Sequence, residues 1–158
     1  MPALITPLPL EKASVIVDAV MSAGREHEMM PLTVVVLDCG GHMIAMQRGD
    51  GCGIMRTDVA LGKAYGSLGL GGPSRMLGMA LADRPVFQGA LAAASQGRFI
   101  SVPGGVLICQ GDGAVIGAVG VSGDTSDKDE YCAITAVQSV GLDPLPPQPA
   151  PDWQGSSL

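Results

Sequence analysis

The sequence predicts an α+β fold, a mostly antiparallel sheet flanked by helices on both faces. Two apolar runs each turn over glycine into a second apolar run, which is the pattern of a β-hairpin: "LTVVVLD" passes through Gly40-Gly41 into "HMIAMQR", and residues 105–110 pass through Asp112-Gly113 into "VIGAVGVSG". Stretches with helical spacing precede, separate and follow these hairpins, giving the order α-β-β-α-(α)-β-β-α. Hairpins with helices between them imply antiparallel pairing rather than a doubly wound parallel sheet.

The chain has 158 residues, enough for one domain with a real core, and 47% hydrophobic residues argue against disorder. We expect a single domain over residues 1–142 and a proline-rich tail over 143–158. Aromatic residues are only Phe87, Phe99, Tyr65, Tyr131 and Trp153, so the core must be built from Val, Ile, Leu, Ala and Met.

In residues 8–28, Ala13, Ile16, Val17, Val20, Met21 and Gly24 recur at three and four, one apolar stripe of a helix. Pro9 suits its first turn and Pro31 stops the chain from continuing it. Residues 32–38 are β-branched and apolar on both faces, a central strand. A loop at 49–53 leads to a helix over 55–70. Ser74 is placed to cap a short helix over 75–83, which Pro85 would end. Residues 86–97 read as another short helix or an irregular segment. Small residues in the fourth strand allow something to approach closely. Ser126 and Asp129 have capping-box spacing at the start of a last helix, 127–141, with Ala133, Val137 and Val140 facing inward. Five prolines between 144 and 151 exclude helix there, and we expect a loose extended tail, the alternative being that Trp153 anchors it against a neighbouring subunit.

A net charge of -6 without a basic stripe argues against nucleic acid as partner. No apolar stretch reaches the roughly 20 residues of a membrane span, and the N-terminus has no signal-peptide pattern, so we expect a cytoplasmic protein with no membrane partner. The four cysteines form no C-x-x-C pair and read as reduced.

No strong general motif is present; the glycines at 66–72 follow a helix and lack the dinucleotide-binding order. What remains is polar residues at element ends. His42 follows the Gly-Gly turn, where an imidazole can bind a metal, exchange a proton near neutral pH, or simply hydrogen-bond the turn. His27 lies at the end of the first helix, where a cation suits the dipole. Lys63 lies on an apolar helix and either snorkels to solvent or meets an anionic ligand. Arg48 and Arg75 stand beside glycine-rich loops and can fork onto a carboxylate. Asp50, Asp58, Asp127, Asp129 and Glu130 read as caps and solvated charge, or as ligands of a hard cation. Gly104-Gly105, in "PGG", offers backbone N–H groups to an anion. Together these suggest one cleft, between the glycine-rich loops and the helix carrying Lys63.

The ordered set "VVVLDCGGHMIAMQRGDG", "TDVALGKAYGSLGLGGPSR" and "VPGGVLI…GAVIGAVGVSGDTSDKDE" resembles the GlcG/HbpS-like haem-binding family, which also supplies the C-terminal domain of PduO-type corrinoid adenosyltransferases. The resemblance runs from about residue 5 to 142. It implies a profilin-like fold, assembly into homo-oligomers (dimers or larger rings), haem or a related tetrapyrrole as ligand, and in some members association with catabolic operons. Its matching positions are His42, Arg48, Asp50, Lys63, Arg75, Gly104 and Gly105. On this reading His27 or His42 is the axial ligand, with Arg48, Lys63 or Arg75 on the propionates. The second reading is an enzyme acting on a small organic acid (a lyase, isomerase or hydrolase), with His42 as acid/base and Lys63 with Arg48 or Arg75 as carboxylate clamp. The third is a structural subunit with no ligand. A wide slot lined by Met and Leu favours the tetrapyrrole; a small closed pocket with His42, Lys63 and an arginine converging favours the enzyme.

Overall fold

A computed structural model of the chain describes residues 1–2 and 4–158. The elements run α1 (Leu10–Glu26), β1 (Thr33–Asp38), β2 (Met43–Arg48), α2 (Met55–Leu70), α3 (Ser74–Leu81), α4 (Pro85–Ala94), β3 (Gly105–Cys109), β4 (Val115–Ser122), α5 (Ser126–Ser139) and β5 (Asp143–Leu145), with a 3-10 turn at Trp153–Gly155. One five-stranded sheet has the order β2-β1-β4-β3-β5, every pair antiparallel. The α+β expectation is met.

The burial of β1 on both faces follows from its alternation. Val34 and Val36 join Val106, Ile108, Val119 and Val121 beneath α1 and α5, while Val35 and Leu37 join Leu107 and Ala118 beneath α2. The stripe read on α1 is the buried one: Ala13, Ile16, Val17, Val20 and Gly24 face the sheet. At Gly120 of β4 what approaches is the backbone of α2, while Gly117 faces the Leu37 carbonyl of β1 and the Leu8 side chain. A Cβ on Gly120 would collide with the Ala60 carbonyl oxygen, and one on Gly105 of β3 would collide with that of Lys63.

Four local expectations are corrected. Ser74 does not cap α3. Pro73 holds the N-cap position and Ser74 is the first helical residue, its Oγ accepting from the Gly105 N–H at 2.8 Å. Pro85 opens α4 instead of ending α3, as suits a residue with no N–H to offer. Thr125, not Ser126, caps α5 by accepting from the Lys128 N–H. The tail is not loose. Residues 143–145 add a strand to the edge of β3, and Trp153 stacks on Tyr131 of its own chain at 3.6 Å between ring centroids.

Candidate functional site

A groove of ≈ 470 Å³ opens between the end of α1, the loop entering β1 and the end of β2. Met21, Met29, Met30 and Leu32 line it, and Arg25, Arg48 and Asp50 supply its charge. Its shape comes from how α1 ends. Gly24 leaves room for Leu32, whose Cδ1 would be 2.7 Å from any Cβ there, and the chain then turns out through Glu28 at φ 51 before Pro31. The loop is pinned by the Met30 N–H, which donates to Asp124 Oδ2 at 2.8 Å. Burial works against the Asp124 charge, but this N–H, that of Thr125 and the Lys128 ammonium outweigh it and hold the carboxyl below its usual range. Neither Arg25 nor Arg48 has an acid within ion-pair distance among the described residues.

The single cleft expected from the sequence is not formed. His42 is exposed at the tip of the β1–β2 hairpin, where Asp38 Oδ1 accepts from the Gly40 and His42 N–H groups. Arg48 lies six residues on, roughly 20 Å away along the strand at ~3.3 Å per residue. These two cannot act on one small molecule. Lys63 is buried, its Nζ 2.8 Å from Asp129 Oδ2 and 2.9 Å from the Val121 carbonyl oxygen. It neither snorkels nor reaches an open cavity. Arg75 is tied to Glu130 Oε2 at 3.4 Å and to the Gln148 carbonyl oxygen at 3.0 Å. Gly104-Gly105 is not a bare anion nest, because the Gly105 N–H donates to Ser74 and a Cβ on Gly104 would meet Lys63 Nζ at 2.9 Å. His27 caps the end of α1, its Nε2 3.0 Å from the Tyr131 hydroxyl and its ring edge-on to Tyr131 and Trp153.

Four of the charged residues singled out from the sequence thus form a buried electrostatic cluster. Burial lowers the Lys63 pKa, with Asp129 opposing the shift, and burial raises the Asp129 pKa to about 6, with Lys63 opposing it. Glu130 is fully buried, neither carboxyl oxygen has a hydrogen-bond partner among the described residues, and burial pushes its pKa up to about 7 against the pull of Arg75.

A carboxyl raised from 4.5 to about 7 binds its proton more tightly in the folded chain than in the unfolded one. Its stabilising contribution is complete below pH 4.5 and is lost as pH rises through about 7. The loss is on the order of 3 kcal/mol. Glu130→Gln is therefore expected to flatten the fall in stability between pH 5 and pH 8, measured as urea midpoints at both. An unchanged slope contradicts the assignment.

Known proteins share this frame. The family model described as "Haem degrading protein HbpS-like" matches residues 8–138. The chain belongs to the HbpS-like family. A curated relative, the uncharacterized 15.0 kDa protein of the dhaT-dhaS intergenic region of Citrobacter freundii, is 34% identical over 108 residues, 68% of this chain and 75% of that protein. Among solved structures, Klebsiella pneumoniae protein ORFY superposes with a TM-score of 0.77 at 27% identity, covering 89% of this chain and 94% of that one. A double mutant of Streptomyces reticuli HbpS does so at 0.73 and 27%, covering 87% and 90%. The PduOC:haem complex, at 0.75 and 21% identity over 85% of this chain and 96% of that one, shares the fold.

Of the groove, sequence reasoning reached Arg48 and Asp50 but missed Arg25, Met29 and Met30. The signal was available in "REHEMMP", where two methionines fall off the apolar stripe of α1 beside an arginine and just before the helix-stopping Pro31.

Proposed function

We propose that this protein binds haem or a closely related tetrapyrrole in the methionine-lined groove. The observation that carries the reading is the pairing of an apolar, polarizable wall (Met21, Met29, Met30, Leu32) with two arginines that have no acid within ion-pair distance among the described residues. A tetrapyrrole needs both, soft surface for its ring and cations for its propionates. The groove volume falls within the ~300–1,000 Å³ of small-molecule sites. Arg25 and Arg48 would hold the carboxylates, and the methionines the ring. The bound group would supply the redox and ligand-binding chemistry of its iron. Family membership and the haem named for one structural relative support the same ligand class.

Of the two imidazoles, His27 follows Arg25 by two residues at the groove end of α1, whereas His42 stands at the far end of the β1–β2 hairpin. His27 does not itself line the groove and its Nε2 meets the Tyr131 hydroxyl, so it would ligate a bound iron only by giving up that contact; of the two imidazoles it is the one placed to do so. With hemin, His27→Ala is expected to change the Soret maximum of the complex while His42→Ala leaves it unchanged. The reverse pattern overturns the assignment.

The small-acid enzyme reading loses its support because its three groups lie apart. Assembly into a homo-oligomer is part of the proposal. It rests on α4, which buries none of its own residues and leaves Val86 and Phe87 exposed, an apolar surface of the kind that subunits cover. So is a cytoplasmic setting, supported by four free cysteines.

A further inference from the structure

A second cavity, of ≈ 250 Å³, lies on the opposite side of the sheet from α1, between α2 and the segment from α4 to Phe99. Its walls are apolar: Leu70, Leu91 and Phe99, with the Tyr65 ring on one side. Gly66 makes its floor possible, since a Cβ there would lie 2.9 Å from Phe99 Cδ2, so the phenyl ring packs directly onto α2. One cation lines it, Arg98.

Arg98 is held in place without being neutralised. Its Nε donates to the Ser95 carbonyl oxygen at 3.0 Å, and its guanidinium carbon sits 4.2 Å from the centroid of the Tyr65 ring. Its terminal nitrogens have no hydrogen-bond or acid partner among the described residues. Of the nine basic residues, Lys63, Arg75 and Lys128 meet carboxylates, whereas Arg98, like Arg25 and Arg48, has none within ion-pair distance among the described residues. A guanidinium fixed by a ring face and a carbonyl, with its two-pronged end free over apolar walls, matches a carboxylate carried on a small apolar body.

We propose that this cavity is a ligand site, distinct from the groove, that takes a small monocarboxylate with an aromatic or short aliphatic body, its carboxylate on Arg98. The site is too small for a tetrapyrrole and rests on none of the groove residues, so it stands or falls independently of haem binding. Gly69 lines the same cavity and has nothing within 4 Å of a built Cβ, which makes it the position from which to fill the space without disturbing the fold.

The test is isothermal titration of the full chain with benzoate, phenylacetate and hexanoate, each against its neutral amide. At least one acid is expected to bind saturably at one per chain, and its amide roughly tenfold more weakly, as the loss of a charge-assisted pair implies. Arg98→Gln is expected to bring the acid down to the affinity of its amide. Gly69→Leu is expected to abolish binding of both while leaving the far-UV spectrum unchanged. Arg25→Ala with Arg48→Ala is expected to leave acid binding intact. The proposal is overturned if none of the three acids saturates, if acid and amide bind equally, if Arg98→Gln or Gly69→Leu retains full acid affinity, or if the Arg25/Arg48 variant loses it.

Discussion

Lys63→Ala is expected to destabilise the fold by about 3–5 kcal/mol, measured by urea unfolding at pH 7. The cause is what the substitution leaves behind. Asp129 is buried against Lys63 Nζ at 2.8 Å, with its other oxygen accepting from the Asp124 N–H at 3.1 Å. Without the ammonium, the buried Asp129 carboxyl loses the cation that most strongly opposes its burial, and the Val121 carbonyl loses its donor. Removing both charges should do less harm than removing one, so Lys63→Met with Asp129→Leu is expected to recover a large part of the stability. If Lys63→Ala unfolds like the parent and its defect appears only in ligand binding, Lys63 is a functional group and the buried-pair reading is wrong.

Gly120→Ala is expected to cost about 3 kcal/mol or more, although it adds one methyl group to a β-strand. The added Cβ would collide with the Ala60 carbonyl oxygen and meet the Ala60 carbonyl carbon at 2.9 Å and the Ala64 nitrogen at 3.0 Å, all backbone atoms of α2 that cannot rotate away. The helix must lift from β4, and that opens the layer containing Val35, Leu37, Ala60 and Ala64. Gly69→Ala, on the exposed end of the same helix, is the control. It meets nothing and is expected to stabilise slightly through helix propensity. Urea midpoints moving in opposite directions would support the close approach of α2; equal effects would refute it.

The hairpins are legible in the sequence because strand period and glycine turns leave few alternatives. "LTVVVLD" is apolar on both faces and cannot be an edge strand, and both hairpin turns carry the residues such turns require. The helix starts are less legible. Ser74 and Ser126 have the chemistry of caps, but Pro73 and Thr125, one residue earlier in each case, hold the extended backbone that a cap needs. The docking of the tail is not legible at all, because proline content speaks against helix and says nothing about what the chain packs on. Edge pairing at residues 143–145 and stacking of Trp153 on Tyr131 join parts of the chain that local sequence does not relate.

The site divides in the same way. Residue types mark His42, Arg48, Lys63, Arg75 and the PGG turn as charged or strained, but type alone does not say which of them meet. Lys63 and Asp129 are 66 positions apart, and only the packing of α5 beside β4 makes them partners. Asp129 and Glu130 look like ordinary acids in the first turn of a helix until burial raises them to about 6 and about 7. Arg25 does not stand out because an arginine near the C-terminal end of a helix already has a sufficient explanation in the helix dipole.

The central claim is that a tetrapyrrole sits in the groove between Arg25 and Arg48. Hemin titration of the full chain, followed at the Soret band, against the variant carrying both Arg25→Ala and Arg48→Ala tests it most directly. The claim requires saturable binding at one hemin per chain in the parent. It also requires an affinity lower by roughly a hundredfold in the variant, about 1.4 kcal/mol for each propionate deprived of its arginine. Absence of a saturable Soret shift in the parent, or equal affinity in the two proteins, would contradict it.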